Sequence, residues 1–143
     1  MAEAGYSGVP LPRKLGVRPG QRLAFVGVPD DLLWVGEAAA PSQAERFTVP
    51  DALPSDRAYD AVWAFFTRAD ALHAALPRLR AAIAPAGMIW ISWPKKAAKT
   101  DTDLTEDRIR AAALAGGLVD VKVCAVDATW SGLKLVIPLK LRG

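Results

Sequence analysis

Two adjacent lysines are the residues of this sequence with the clearest chemical potential. Lys95 and Lys96 follow a proline at the end of the apolar run that closes with Trp93. Neighbouring ammonium groups repel each other, so a stiff loop that holds both suits a phosphate, a carboxylate or an acidic partner. The alternative is a solvated basic loop whose charge is balanced by Asp101 and Asp103. We take Trp93, Lys95 and Lys96 as a candidate anion-binding site.

A second candidate is the segment Thr129–Lys134, in which an aromatic side chain lies between two hydroxyls. At the tip of a hairpin, Trp130 could stack on a ligand ring or anchor a partner, with Thr129, Ser131 and Lys134 beside it. The alternative is that Trp130 packs back onto the sheet while Ser131 and the following glycine only form the turn. Packing on the sheet is the interpretation that we favour, and burial of the ring there would contribute about 2–3 kcal/mol.

The other chemistry-bearing residues form no recognisable catalytic set. Asp30 could hold a ligand hydroxyl, although capping of a helix explains at least one of Asp30 and Asp31. His73 is the only histidine and is predicted to be a solvated helix residue, and the only cysteine, Cys124, is predicted to be a buried core residue. One histidine and one cysteine supply no metal-ligand spacing, and no nucleophile elbow, Walker loop or paired-carboxylate motif is present. The sequence therefore assigns no reaction and no metal.

Length and composition are those of one globular domain over residues 1–143. Apolar residues make up 52% of the chain and charged residues 23%, which excludes a disordered chain, a collagen and a coiled coil. The net charge of +3 falls short of that of a dedicated nucleic-acid binder, so nucleic acid is not an expected partner. A small anionic ligand or a protein partner remains open, as does the oligomeric state.

The apolar runs indicate neither a membrane span nor export. No run reaches the ~18–20 residues of a membrane helix, and the first residues lack the basic and apolar regions of a secretory signal. A cytoplasmic location is therefore expected.

Apolar runs bounded by turn residues predict strands that alternate with helices. The predicted strands are residues 22–28, 46–49 (the weakest), 59–66, 88–93, 118–126 and 133–137. A helical turn at 10–16 precedes them, and helices are predicted at 32–38, at 70–83 with a kink or restart at Pro77, and from Asp103 or Thr105 through Leu114. The short link before the last strand favours an antiparallel pair.

This alternation predicts a three-layer α/β domain with a mostly parallel sheet and an antiparallel C-terminal strand. Continuous apolar strands imply a sheet that is covered on both faces. Ligands of such folds bind at the carboxyl ends of the strands. The loops expected there are residues 27–31, 67–68 and 93–96, and Tyr6-Ser7 could fold over them.

The order of elements over residues 13–137 resembles a class I, Rossmann-like, S-adenosylmethionine-dependent methyltransferase domain. The segments that carry this resemblance are 15–23, 59–63 and 79–91, together with the final hairpin. The chain also resembles a group of small uncharacterised bacterial proteins that share a truncated version of this plan. That second likeness lies in residues 6–8, 93–96, 102–106 and 129–134. The resemblance implies a fold and no established chemistry.

The chain departs from the methyltransferase pattern at the cofactor turn. The resemblance implies a glycine-rich turn after the first strand, where a side chain would block S-adenosylmethionine. Here the turn has Gly27 followed by Val28, a proline and two aspartates. An acidic residue at the end of the second strand is also expected, and the chain offers only Asp51. The segment between the strands that resemble the family's first and fourth is too short for the usual extra strand and helix.

We therefore predict that the chain does not bind S-adenosylmethionine and serves as a small binding or interaction module. Its ligand would be recognised by the loop from Trp93 to Lys96. The alternative is an enzyme, either a divergent methyltransferase or another activity on an anionic metabolite, that uses Lys95, Lys96 and Asp30. The alternative requires a pocket beside Trp93.

Overall fold

Strands and helices alternate in the computed structural model, which describes residues 9–42 and 44–142. The strands are β1 (Leu23–Val26), β2 (Ala44–Phe47), β3 (Tyr59–Phe65), β4 (Ile83–Pro94), β5 (Val119–Ala125) and β6 (Trp130–Val136). The helices are α1 (Leu11–Lys14), α2 (Ala69–Ala82) and α3 (Glu106–Ala115), with 3₁₀-helices at Asp30–Ala39, Pro50–Ala52, Lys96–Ala98 and Leu139–Leu141. Each predicted strand is present, and the weakest one begins and ends about two residues earlier than predicted.

The sheet has the mixed topology that the sequence predicts. Within the described residues, six strands lie in the order β2-β1-β3-β4-β6-β5. The first four run parallel to one another, and β6 is antiparallel to both β4 and β5. The parallel strands end at a common edge, which brings together the loops that follow β1, β3 and β4. Between β2 and β3 the described chain forms only the short 3₁₀-helix Pro50–Ala52.

Helices cover both faces of the sheet. Val62 and Ile89 point to the side where α2 and α3 pack, and both side chains are fully buried. Trp63 and Trp90 point to the other side, where α1 and the 3₁₀-helix Asp30–Ala39 pack. Burial on both faces explains why these strands are apolar at successive positions rather than at alternate ones.

The segment after β1 corrects the expectation that Asp30 or Asp31 caps a helix. The structure forms a 3₁₀-helix there that begins at Asp30, so Pro29 occupies the capping position. Neither aspartate accepts a capping hydrogen bond from this helix. Asp30 instead lies 3.7 Å from Nη2 of Arg46 on β2, in a pair that is exposed to solvent.

Helix α2 also begins differently from the prediction, which placed its cap at Asp70. The helix begins at Ala69, whose backbone N–H donates a 2.8 Å hydrogen bond to the carboxylate of Asp103, 34 residues further along the chain. The cap therefore comes from the loop before α3. The helix runs without interruption through Pro77, so it does not restart there.

A charged network lies at the end of the sheet where β1 and β3 begin. Nε of Arg22 lies 2.9 Å from one carboxylate oxygen of Glu45, and the Tyr59 hydroxyl donates a 2.7 Å hydrogen bond to the other. The Arg22 guanidinium also lies 4.2 Å from the centre of the Tyr59 ring. Burial and the hydrogen bond to Glu45 raise the pKa of Tyr59 to about 12, while the Arg22 guanidinium lowers the pKa of Glu45.

The raised pKa of Tyr59 predicts a loss of stability in alkali. The folded chain holds the phenol proton more tightly than the unfolded chain, whose tyrosine pKa is about 10. This stabilisation is complete below pH ~10 and is lost as the pH rises towards 12. Between pH 9 and 12 we expect the free energy of unfolding of the wild type to fall by about 1–2 kcal/mol more than that of Tyr59→Phe. Urea denaturation at each pH measures this, and parallel curves for the two proteins would contradict it.

Candidate functional site

Four of the candidate residues line one pocket at the edge where the parallel strands end. This pocket, called the Trp93 pocket below, has a volume of about 510 Å³ and lies between the end of β4, the start of β6 and the start of α3. Its lining includes the candidates Trp93, Lys95, Lys96 and Ser131. Pro94, Thr100, Thr102, Leu104, Thr105 and Glu106 complete it.

Strand pairing fixes the relative positions of these residues. Trp93 on β4 lies directly opposite Ser131 on β6, in antiparallel register. The backbone N–H of Lys95 donates a 2.7 Å hydrogen bond to the carbonyl oxygen of Thr129, which continues the strand pairing past Pro94. The lysine loop and the hairpin are therefore held side by side, which is why the two segments that the sequence singled out contribute to one site.

The acidic residues that could neutralise the lysines are engaged elsewhere. The carboxylate of Asp101 lies 2.7 Å from Nη2 of Arg68, and that of Asp103 accepts the hydrogen bond from the Ala69 N–H. No carboxylate lies within 4 Å of the ammonium group of Lys95 or Lys96 in the described part of the chain. Asp101 and Asp103 therefore form no direct ion pair with these two lysines in the described chain.

The remaining polar groups of the pocket fall into two sets. Thr102 donates to the carbonyl oxygen of Thr67 and accepts from the Leu104 N–H, and Thr105 caps α3 by accepting from the Arg108 N–H. The hydroxyls of Thr102 and Thr105 are therefore already engaged in hydrogen bonds within the protein. Within the described residues the Ser131 hydroxyl has no hydrogen-bonding partner in the protein, so it is available to a ligand.

Glu106 is a carboxylate in the lining and the feature least favourable to an anion. It accepts a hydrogen bond from the Arg110 guanidinium, which also contacts Asp107 and Asp120. One guanidinium thus offsets only part of the charge of three carboxylates, so Glu106 keeps part of its negative charge beside the pocket. Glu106 and the threonines of the lining were not among the candidate residues, although Thr105, one of the two predicted starts of α3, was a signal for them.

Trp130 packs on the sheet, as the favoured interpretation predicts, but Ser131 and Gly132 lie within β6 rather than in the turn. Its ring meets the ring of Phe65 edge to face, with the ring centres 4.8 Å apart. The turn before it is held by Asp127, whose carboxylate accepts the backbone N–H groups of Thr129 and Trp130. Thr129 therefore contributes its backbone to the site, and Trp130 supports the strand that carries Ser131.

Lys134 and Asp30 do not join the other candidates. Lys134 lies in the middle of β6, directly opposite Trp90, on the face of the sheet away from the Trp93 pocket. Side chains of a strand alternate between faces, so Ser131 and Lys134 point to opposite sides. Asp30 lines a separate cavity beyond the ends of β1 and β2. The segment Thr129–Lys134 is therefore split between the two faces of the sheet, and Asp30 does not lie with Lys95 and Lys96.

The cavity beside Asp30 occupies the place where the resemblance puts the cofactor turn. Its volume is about 380 Å³, and its lining includes Gly27, Val28 and Thr48. Gly27 has a φ of +67°, which favours glycine, and the chain then continues through Val28 and Pro29. β2 ends at Phe47, so Thr48 stands where an acidic residue was expected, and Asp51 lies outside the lining.

The histidine and the cysteine lie away from the Trp93 pocket. His73 is exposed and lines a groove between α2 and α3, as expected of a solvated helix residue. Cys124 is partly buried, and burial raises the pKa of its thiol. Among residues 9–42 and 44–142 no cluster of side chains could hold a metal ion, and no helix is long and apolar enough to cross a membrane. Tyr6 and Ser7 lie outside the described residues.

Three solved structures with a similar fold are described as methyltransferases. A SAM-dependent methyltransferase from Aquifex aeolicus is 14% identical with a TM-score of 0.64, and the match covers 88% of this chain and 89% of that one. The 1,6-didemethyltoxoflavin-N1-methyltransferase of Burkholderia thailandensis is 16% identical with a TM-score of 0.65, over 87% of this chain and 73% of that one. Magnesium protoporphyrin IX methyltransferase from Synechocystis PCC 6803 is 14% identical with a TM-score of 0.63, over 88% and 74%.

These likenesses define the fold. The chain has the Rossmann-like fold of class I SAM-dependent methyltransferases, in a reduced form. No protein-family model and no curated protein sequence matches it.

Proposed function

We propose that this chain is a binding domain with a methyltransferase fold, which holds a small anionic ligand in the Trp93 pocket and does not use S-adenosylmethionine. The observation that carries the proposal is the pair of lysines, Lys95 and Lys96, on one pocket wall without a carboxylate partner in the described chain. The volume of the pocket lies within the range of about 300–1,000 Å³ that is typical of small-molecule sites.

The ligand chemistry follows from the groups around the pocket. Two ammonium groups attract a phosphate or a carboxylate, and the Ser131 hydroxyl adds a donor that orients it. The apolar part of the lining includes Trp93, Pro94 and Leu104, which suits a ligand with a small carbon skeleton. A dicarboxylate or a phosphorylated metabolite combines these properties.

The residues beside Gly27 do not fit S-adenosylmethionine. The side chains of Val28 and Asp30 stand in a turn where the cofactor needs open space, and Pro29 has no N–H to donate. Asp30 and Arg46 approach each other beside the cavity, and Thr48 cannot replace a carboxylate that accepts two ribose hydroxyls. These substitutions support a fold that has kept its architecture without its cofactor turn.

Titration of the full chain with malonate and with pyrophosphate tests the proposal. We expect saturable changes at the backbone amides of Lys96, Thr100 and Ser131 in nitrogen-15 NMR spectra. The double variant Lys95→Gln/Lys96→Gln should bind at least about tenfold more weakly, because one charge-assisted hydrogen bond contributes about 1.5–3 kcal/mol. Lys140→Gln, which removes an exposed charge outside the pocket, is the matched control and should bind as the wild type does. Equal affinities for all three proteins would refute the anion site.

A calorimetric titration with S-adenosylmethionine examines the other half of the proposal. We expect no saturable heat at micromolar to low millimolar cofactor, because Pro29 has no N–H to donate and the side chains of Val28 and Asp30 follow Gly27 in the turn. Saturable binding in the micromolar range would overturn the argument from Val28, Pro29 and Asp30, and it would leave the result at Lys95 and Lys96 intact.

A divergent enzyme is the second candidate function, and it is favoured by the Ser131 hydroxyl and the Glu106 carboxylate in the lining of one pocket. The two candidates differ in the fate of the ligand. A binding domain returns it chemically unchanged, whereas an enzyme converts it. Mass spectrometry of any small molecule that co-purifies with the chain, before and after prolonged incubation, separates them.

A further inference from the structure

A second group of cations lies on the face of the sheet away from the Trp93 pocket. Lys122 on β5 lies directly opposite Lys134 on β6, and Lys134 lies directly opposite Trp90 on β4. Directly opposite residues point to the same face, so the three side chains form a row across the sheet. Arg18, in the loop after α1, lies close enough to influence the charge of Lys134.

This row is unusual because like charges directly opposite each other destabilise a pair of strands. The ion pairs of the described residues involve Arg22, Arg46, Arg68 and Arg110, and none of them reaches the row. The nearest compensation is the Trp90 ring, whose centre lies 6.0 Å from the Lys122 ammonium group. A cation over a ring offsets only part of such repulsion.

The surroundings of Lys134 disfavour the positive charge of its side chain. It is partly buried, and its pKa is lowered by burial first and then by Lys122 and Arg18. Its positive charge is therefore held in a place that disfavours it. An anion between these groups would relieve both the repulsion and the loss of hydration.

Protection of a sheet edge explains Lys122 but does not explain Lys134. β5 is the last strand of the sheet, and an exposed lysine on an edge strand discourages pairing with other chains. β6 lies inside the sheet with a strand on each side, so Lys134 has no edge to protect. A different role is needed for the charge on β6.

We propose that Lys122 and Lys134 form a second anion site, separate from the Trp93 pocket, that takes the phosphate or diphosphate group of a small ligand. The Cα atoms of directly opposite residues in antiparallel strands lie about 4.5–5.5 Å apart, so both ammonium groups can reach one phosphate. This compact arrangement suits one phosphorylated group rather than an extended nucleic-acid backbone.

Pyrophosphate titration of the full-length chain at 150 mM NaCl, followed by nitrogen-15 NMR, tests this site. We expect saturable shifts at the amides of Lys122 and Lys134 and at the indole N–H of Trp90. Lys134→Gln should weaken these responses at least about tenfold, whereas Lys140→Gln should leave them unchanged. Lys134→Gln should also raise the melting temperature in anion-free buffer, because it removes the repulsion.

The outcomes separate this site from the Trp93 pocket. Chemical shift changes at Lys96 and Ser131 report on the Trp93 pocket alone, so these changes should persist in Lys134→Gln. In Lys95→Gln/Lys96→Gln the changes at Lys96 and Ser131 should be lost, while the response of Lys122 should remain. Wild-type protein without shifts at Lys122 and Lys134, or a Lys134→Gln variant with unaltered affinity, would refute the second site. Binding of a homopolymer RNA to this face without any response to pyrophosphate would contradict a small-ligand site and favour nucleic acid.

Discussion

Replacing Trp90 with alanine is expected to lower the free energy of unfolding by about 4 kcal/mol, the largest effect of a single substitution that we expect in this chain. The side chain is 2% exposed and lies on β4, between the neighbouring strands β3 and β6. Its indole N–H donates a 2.8 Å hydrogen bond to the carbonyl oxygen of Leu15, which ties the end of α1 to the sheet. The loss would be a large fraction of the 5–15 kcal/mol that stabilises a typical domain.

The matched substitution Trp90→Phe separates packing from the hydrogen bond. Phenylalanine keeps an aromatic ring but leaves the Leu15 carbonyl without its donor, so a loss of about 1–3 kcal/mol is expected. Urea denaturation followed by circular dichroism measures both variants. A loss below about 2 kcal/mol for Trp90→Ala would show that α1 and the sheet can repack around the missing ring.

Gly87→Ala is expected to destabilise the chain by about 2–3 kcal/mol, through overpacking rather than through a cavity. A Cβ atom at this position would lie 2.9 Å from the carbonyl oxygen of Tyr59 and 3.0 Å from that of Ala84. Both are backbone atoms, so they cannot move aside as a flexible side chain can. The site also lies where the register between β3 and β4 shifts, between the pairs formed by Tyr59 and Ala61.

Gly116→Ala is the control for Gly87→Ala. A Cβ atom there would lie 3.4 Å from its nearest neighbour, and Gly116 has a φ of −94°, which any residue can adopt. In thermal unfolding we expect a clear decrease in melting temperature for Gly87→Ala. For Gly116→Ala we expect the free energy of unfolding to change by no more than about 0.5 kcal/mol, so its melting temperature should stay close to that of the wild type. Similar decreases for both variants would indicate that the bulge beside Tyr59 can widen.

The central strands β1, β3 and β4 were predictable because each is a largely apolar run that burial on both faces requires. The antiparallel final pair followed from the short link at Asp127, which leaves no room for a crossover helix. The capping of α2 was not predictable, because Ala69 and Asp103 are far apart in the sequence. The prediction that Asp30 or Asp31 caps a helix failed for a local reason, since Pro29 takes the capping position and the segment forms a 3₁₀-helix.

The candidate site could be predicted in part. Lys95 and Lys96 follow a strong strand signal, so their place at the edge of the sheet could be inferred from the sequence. The engagement of Asp101 with Arg68 could not, because that pair depends on how two loops meet. The misplacement of Lys134 arose because adjacency in the sequence was read as adjacency in space, although strand alternation sends Ser131 and Lys134 to opposite faces.

The three links between the loop before α3 and the start of α2 have a consequence for the timing of recognition. Thr102 to Thr67, Asp103 to Ala69 and Asp101 to Arg68 hold the rim of the Trp93 pocket in place from outside. A pocket rim that is already ordered loses little conformational entropy when a ligand binds. The Trp93 pocket is therefore preorganised, and the association rate of the proposed ligand would be set by diffusion and electrostatic steering rather than by loop closure.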